Sequence, residues 1–179
     1  NEAYNIAKQL ECTEIVIHAN YRPGTDYYDG WINRSKAFLT EFLKDKDDSI
    51  TICIENQFES DSELFIRLLD ELNDSRVKVC LDIGHVNCNS NMSVEDWIKT
   101  LNTRIAQYHL HNNYGKQTIY GYNKDDEHLA INDGTIDIEK TLKLAEEYTP
   151  DAIWSIESKV EFLEESVKYL KNQKYIKKT

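Results

Sequence analysis

The chain has 179 residues, 40% apolar and 30% charged, which suits one soluble domain with a sizeable core. Its 21 Lys+Arg stand against 32 Asp+Glu, a net charge of −11, and such a surface repels phosphate backbones. No apolar run approaches the ~18 residues that span a bilayer, and Asn1–Leu10 has no basic region followed by an apolar core, so neither a membrane segment nor a signal peptide is expected.

A helix-like segment opens the chain. Thr13–His18 (TEIVIH) follows as the first predicted strand, short, β-branched and mostly apolar. Trp31–Asp45 carries Trp31, Ala37, Phe38, Leu39, Phe42 and Leu43 at amphipathic helical spacing. Ile50–Glu55 (ITICIE) is the second strand. Asp61–Leu72 is the next helix, with Ser60 and Glu63 predicted as its capping box. Val77–Asp82 (VKVCLD) is the third strand, and Val94–Leu101 is a helix capped by Ser93. Ile105–His109 (IAQYH) is the fourth strand. Asn112–Thr135, rich in Asn, Gly, Tyr and Asp, reads as a long loop, and long loops in compact domains are usually functional. Ile138–Tyr148, capped by Asp137, leads to the fifth strand, Ala152–Glu157 (AIWSIE). Val160–Lys171 closes the pattern and finishes in lysines, which suit the negative end of a helix dipole.

Strand and helix alternate with no hairpin signal, which predicts parallel βα units. No linker, low-complexity tract or composition shift interrupts them, so residues 1–179 are expected to be a single domain. An open doubly wound sheet would show a Gly-rich phosphate loop after its first strand, and neither GxGxxG nor GxxxxGK[ST] is present. The four cysteines, Cys12, Cys53, Cys80 and Cys88, form no CxxC pair and no zinc-finger spacing. Cys53 and Cys80 lie in apolar runs as small buried hydrophobes, and a reduced, cytoplasmic protein is expected.

The strand ends favour a closed barrel. All five predicted strands finish on a metal-ligand type: His18, Glu55, Asp82, His109 and Glu157. In a (β/α) barrel the C-terminal strand ends converge on one mouth. Two imidazoles and three carboxylates there suit a divalent metal, Zn, Mn, Co or Mg. The spacing Asp82-x-x-His85 returns a further imidazole to the mouth, and the long loop offers Asp126 and His128. His111 shares strand parity with His109 and stands in reserve. Lys159 is the one basic residue close in sequence to these ends. One cation cannot offset three converging carboxylates, so without a divalent ion their pKa values are expected to rise.

The segments IVIHAN around His18, ICIEN around Glu55, CLDIGH around Asp82 and His85, YHLHNN around His109, DEHLAINDGTIDIE around His128 and SIESK around Glu157 together resemble the xylose isomerase-like TIM barrel superfamily. That superfamily includes sugar-phosphate isomerases and epimerases and endonuclease IV, of the AP endonuclease family 2 type. The resemblance covers nearly the whole chain in order. It implies an α/β, (β/α)8 TIM barrel of ~250 residues. The opening helix precedes what corresponds to the third strand, so the first two strands are expected to be missing from this chain. Asn132-Asp133-Gly134 stands where the family has Gly-Glu-Gly, which touches loop shape rather than ligands.

By the same resemblance Glu55, Asp82, His109 and Glu157 hold the main metal, with Glu55 able to bridge. His18, His85, Asp126 and His128 stand where endonuclease IV binds its further zinc ions. The implied activity is isomerisation or epimerisation of a small sugar or sugar phosphate through an enediolate-type proton transfer. Glu55 and Glu157 would be the acid/base pair, with His85 on a substrate oxygen. Tyr21, Tyr27, Tyr28, Tyr114, Tyr120 and Tyr122 fall in predicted loops after strands, as amphipathic walls suited to a sugar. Basic residues there are few: Arg22, Lys116 and Lys124. A small carbohydrate is therefore the expected partner, not nucleic acid or membrane, with homo-oligomerisation left open. The alternatives are an endonuclease IV-like zinc phosphodiesterase acting on abasic DNA and a catalytically silent barrel fragment.

Overall fold

The β-branched apolar runs become strands and the amphipathic stretches become the helices between them. This is seen in a computed structural model, which describes residues 1–115 and 126–175. Helix α1 (Glu2–Gln9) leads into β1 (Glu14–His18), α2 (Tyr28–Leu43), β2 (Thr51–Glu55), α3 (Glu63–Leu72) and β3 (Val77–Asp82). Then come α4 (Ile83–Asn89), α5 (Val94–Leu101), β4 (Ile105–Leu110), α6 (Ile138–Tyr148), β5 (Ile153–Ile156) and α7 (Val160–Asn172). No described helix is long and apolar enough to cross a membrane.

Two expected caps form: the Ser93 hydroxyl accepts from the Asp96 N–H, and the Asp137 carboxylate from the Lys140 N–H. The capping box of Ser60 and Glu63 does not. Ser62 takes the N-cap position without a side-chain cap. Asp61 Oδ1 accepts from the Glu63 N–H at 3.0 Å, and Ser60 donates to Asp61 Oδ2 at 3.0 Å. An ionised carboxylate is the stronger acceptor, so Asp61 displaces the hydroxyl and the helix begins later than expected.

Among the described residues the five strands are all parallel, in the order β1-β2-β3-β4-β5, and they curve as part of a barrel. Ile52, Ile54, Val77, Val79, Leu81, Tyr108 and Leu110 point to the helices and build the core with Phe65, Leu68, Trp97 and Ile98. Each such fully buried side chain stabilises the fold by roughly 1.5–3 kcal/mol. The other face carries Cys53, Glu55, Cys80, Asp82, Gln107 and His109. Its alignment depends on an irregularity. Val79 pairs with Ile105 but Cys80 pairs with Gln107, so Ala106 is an extra residue. The bulge turns Gln107 and His109 to the face of Cys80 and Asp82. Cys53, Cys80 and Cys88 are buried, and Cys12 is exposed.

Candidate metal centre

Each strand delivers its last polar residue to the same end of the sheet. Register pairs His18 with Glu55 and Asp82 with His109. Asn56, buried just past β2, clamps this rim: its side-chain oxygen accepts from the Asp82 N–H at 2.8 Å, and its amide donates to the Asp82 carbonyl at 3.0 Å. Glu157 follows β5 directly and its N–H donates to the Leu110 carbonyl at 3.0 Å.

Glu55, Asp82, His109 and Glu157 each offer one ligand atom, all within 4.8 Å of one another. His109 Nδ1 is at the middle. It lies 3.2 Å from Glu157 Oε1, 3.5 Å from Glu55 Oε2 and 3.9 Å from Asp82 Oδ2. It is buried and makes no hydrogen bond of good geometry. A buried imidazole nitrogen without a partner, facing three carboxylates, fits a divalent cation, since N and O donors of this kind suit Zn and its neighbours. His109 Nε2 points the other way, 3.5 Å from the Gln107 amide, which donates to Ser155 at 2.9 Å.

A second set of ligand types lies alongside: His85, Asp126 and His128. The Nδ1 of His85 is 2.8 Å from the Asn56 carbonyl and the Nδ1 of His128 is 2.8 Å from the Glu157 carbonyl. A carbonyl only accepts, so both rings carry a proton on Nδ1. Their Nε2 atoms face Asp126 Oδ2, at 3.3 Å and 3.0 Å. His128 adopts φ +50°, sparsely populated for such a residue. It is held there by the Glu157 contact and by the Lys159 N–H, which donates to the His128 carbonyl at 2.8 Å.

Not every expected residue joins. His18 is exposed, reaches Glu55 Oε2 at 3.5 Å, and belongs to neither set. Tyr21 is buried, with its ring edge-on to Tyr28 at 5.4 Å, so it does not wall an open site. Tyr28 lies inside α2, contrary to the loop expected there. Tyr27 and Tyr114 are exposed, and the Tyr114 hydroxyl donates to Asp133 at 2.7 Å. Tyr120, Tyr122, Lys116 and Lys124 lie outside the described residues.

The expected upward shift is overturned at Asp82 and Glu157. Burial pushes Asp82 up, but His111 and His85 outweigh it and hold the carboxyl below its usual range. Burial likewise pushes Glu157 up, and His109 outweighs it and holds the carboxyl below its usual range. Asp126 is lowered too, by His128 and His85 against its burial. The imidazoles, not Lys159, supply the positive charge, and His85, His109 and His128 rise in return. Burial lowers His85 and His109, yet Asp126 and Asp82 push the first to about 10, and Cys80, Glu157 and Glu55 push the second to about 12. Asp126 raises His128 to about 9.

This fixes a pH dependence for the metal-free protein. Imidazoles held protonated by the fold contribute stability that is complete below their ordinary 6.5 and lost as pH rises through about 9 to 12. The lowered carboxylates contribute stability that is complete above 3.8 to 4.5 and lost as pH falls through their depressed values. Melting temperatures of the metal-free chain should therefore be highest between about pH 4.5 and 6.5 and fall towards alkaline pH. A profile rising steadily to pH 9 would contradict this.

Residues 2–178 match the family described as xylose isomerase-like TIM barrel. An uncharacterized protein of Methanocaldococcus jannaschii is 25% identical over 168 residues, 88% of this chain and 55% of that protein. The chain thus spans about half the length of this curated relative. A D-tagatose 3-epimerase-like protein superposes with a TM-score of 0.79 at 25% identity, covering 98% of this chain and 69% of the other. The IOLI protein with a binding zinc atom superposes with a TM-score of 0.74 at 16% identity, covering 97% and 65%.

Proposed function

Because the chain belongs to the xylose isomerase-like TIM barrel family, we propose that it serves a metal-dependent isomerase or epimerase of a small sugar or sugar phosphate. One observation carries the reading: the convergence of Glu55, Asp82, His109 and Glu157 around an unpartnered His109 Nδ1. The structural likeness to a D-tagatose 3-epimerase-like protein supports a carbohydrate substrate. A bound Zn, Mn, Co or Mg would supply a Lewis acid that polarises a carbonyl and its adjacent hydroxyl.

The protein's own groups would do the rest. Glu55, with a side chain only 5% exposed, is shielded from bulk water. Glu157, 36% exposed, can return a proton to solvent. In this reading the two carboxylates take and return the proton beside the substrate carbonyl. His85 serves a substrate oxygen from the adjoining set. Incubation with zinc or manganese and a panel of ketoses and their phosphates in D₂O tests the proposal. Deuterium should enter one substrate at the carbon beside its carbonyl. Absence of exchange with every sugar would count against it.

The set of His85, Asp126 and His128, with both tautomers fixed, favours a second reading, phosphodiester cleavage at abasic DNA with further zinc ions. The net charge of −11 opposes it. Binding to an abasic duplex should be weak at low salt and nearly flat as salt rises. A steep salt dependence would move the assignment to this second reading.

A further inference from the structure

We propose that His111 is a positioning residue for Asp82, holding one carboxylate oxygen so that the other alone is offered to a metal. The inference rests on the metal-site reading above. His111 follows β4 with the same parity as His109, and its side chain is fully buried. Its Nε2 lies 3.0 Å from Asp82 Oδ1 and 3.2 Å from Oδ2. Oδ1 also accepts the His85 backbone N–H at 2.8 Å. Oδ1 thus takes the two shorter contacts, while Oδ2 has only the longer one to Nε2. Oδ2 is the one that faces the imidazoles, 3.6 Å from His85 Nδ1 and 3.9 Å from His109 Nδ1.

The ring's place is built. A Cβ on Gly84 would come within 2.0 Å of His111 Cε1 and 2.4 Å of Nε2, so only glycine leaves room for it. On the opposite side His111 stacks on His128, centroids 3.9 Å apart and planes 12° apart. Ligand atoms of His111, His128 and Glu157 lie within 4.8 Å of one another. The planes of such stacked rings do not cross near them, however, so their in-plane lone pairs do not meet squarely at one ion. His111 therefore acts through Asp82 rather than as a ligand beside His128. Outer partners of this kind orient a ligating carboxylate and typically change metal affinity by about 10- to 100-fold.

The test uses Co²⁺ as probe, titrated into the metal-free protein and followed by its visible absorption, with zinc competition for affinity. His111→Leu should weaken binding by about 10- to 100-fold and alter the Co²⁺ bands, because Asp82 is freed to bind through both oxygens. His111→Asn, too short to reach Asp82, should behave like the Leu variant. His111→Gln keeps an N–H donor and should recover affinity and spectrum. If the Leu variant does not fold, the contrast between Asn and Gln decides. Asn and Leu variants that bind within about twofold of the parent, with its spectrum, would overturn the inference while leaving the metal site standing. A parent protein that binds no Co²⁺ would overturn the metal-site reading and this inference together.

Discussion

Replacing Glu157 by Gln is expected to slow exchange of the substrate proton with solvent by about 10²- to 10⁴-fold, the usual weight of a positioned acid/base group. The backbone that places Glu157 does not depend on its side chain. Its N–H donates to the Leu110 carbonyl and its carbonyl receives His128 Nδ1. The amide of Gln is nearly the same size, so the fold should survive. What is lost is an oxygen able to take a proton. His109 keeps that carboxyl below its usual range, so it is ionised at neutral pH and ready to act as a base. Deuterium incorporation followed by NMR at saturating metal reads the effect directly. Exchange at the parent rate would remove Glu157 from the acid/base role.

Replacing His109 by Ala should lower zinc affinity by more than the about 100-fold that an outer partner costs, because it removes the nitrogen ligand itself. It should also reverse the electrostatics of the metal-free site. Glu157 would then lose the imidazole that holds it below its usual range and would take up a proton more readily. Zinc competition against a chelator measures the first effect, and proton titration of the variant the second. Unchanged zinc affinity would place the ion elsewhere.

The strands were legible because each is a short β-branched run, and their ends because a parallel sheet delivers every C-terminus to one rim. The bounds fall within about one residue of those expected, which is within the usual spread of end assignment. Helix α4 was not legible. Seven residues, IGHVNCN, carry no amphipathic period, and the helix is started by the Asp82 carboxylate accepting the His85 N–H. A residue read as a ligand is thus also a cap.

His109 and His111 share parity, so alternation alone could not separate them. Burial against Gly84 and contact with Asp82 do. The signal for His111 was present in Gly84, whose missing side chain makes the space, but it needs the β3–β4 register to be read. Asn56 and Gln107 carried no sequence signal, since their partners are a backbone rim and an imidazole set by the Ala106 bulge. The carboxylate shifts were misjudged for a related reason. Counting lysines near the strand ends left out the imidazoles that the fold packs on these carboxylates: His111 and His85 on Asp82, His109 on Glu157.

Glu55, Asp82, His109 and Glu157, at the ends of four strands, are proposed to hold one divalent ion. A crystal of the zinc-soaked protein, with anomalous data at the zinc edge, tests it most directly. The claim predicts a peak enclosed by Glu55, Asp82, His109 Nδ1 and Glu157, with ligand distances of about 2.0–2.2 Å. A strong peak away from these four side chains, or none at saturating zinc, would contradict it.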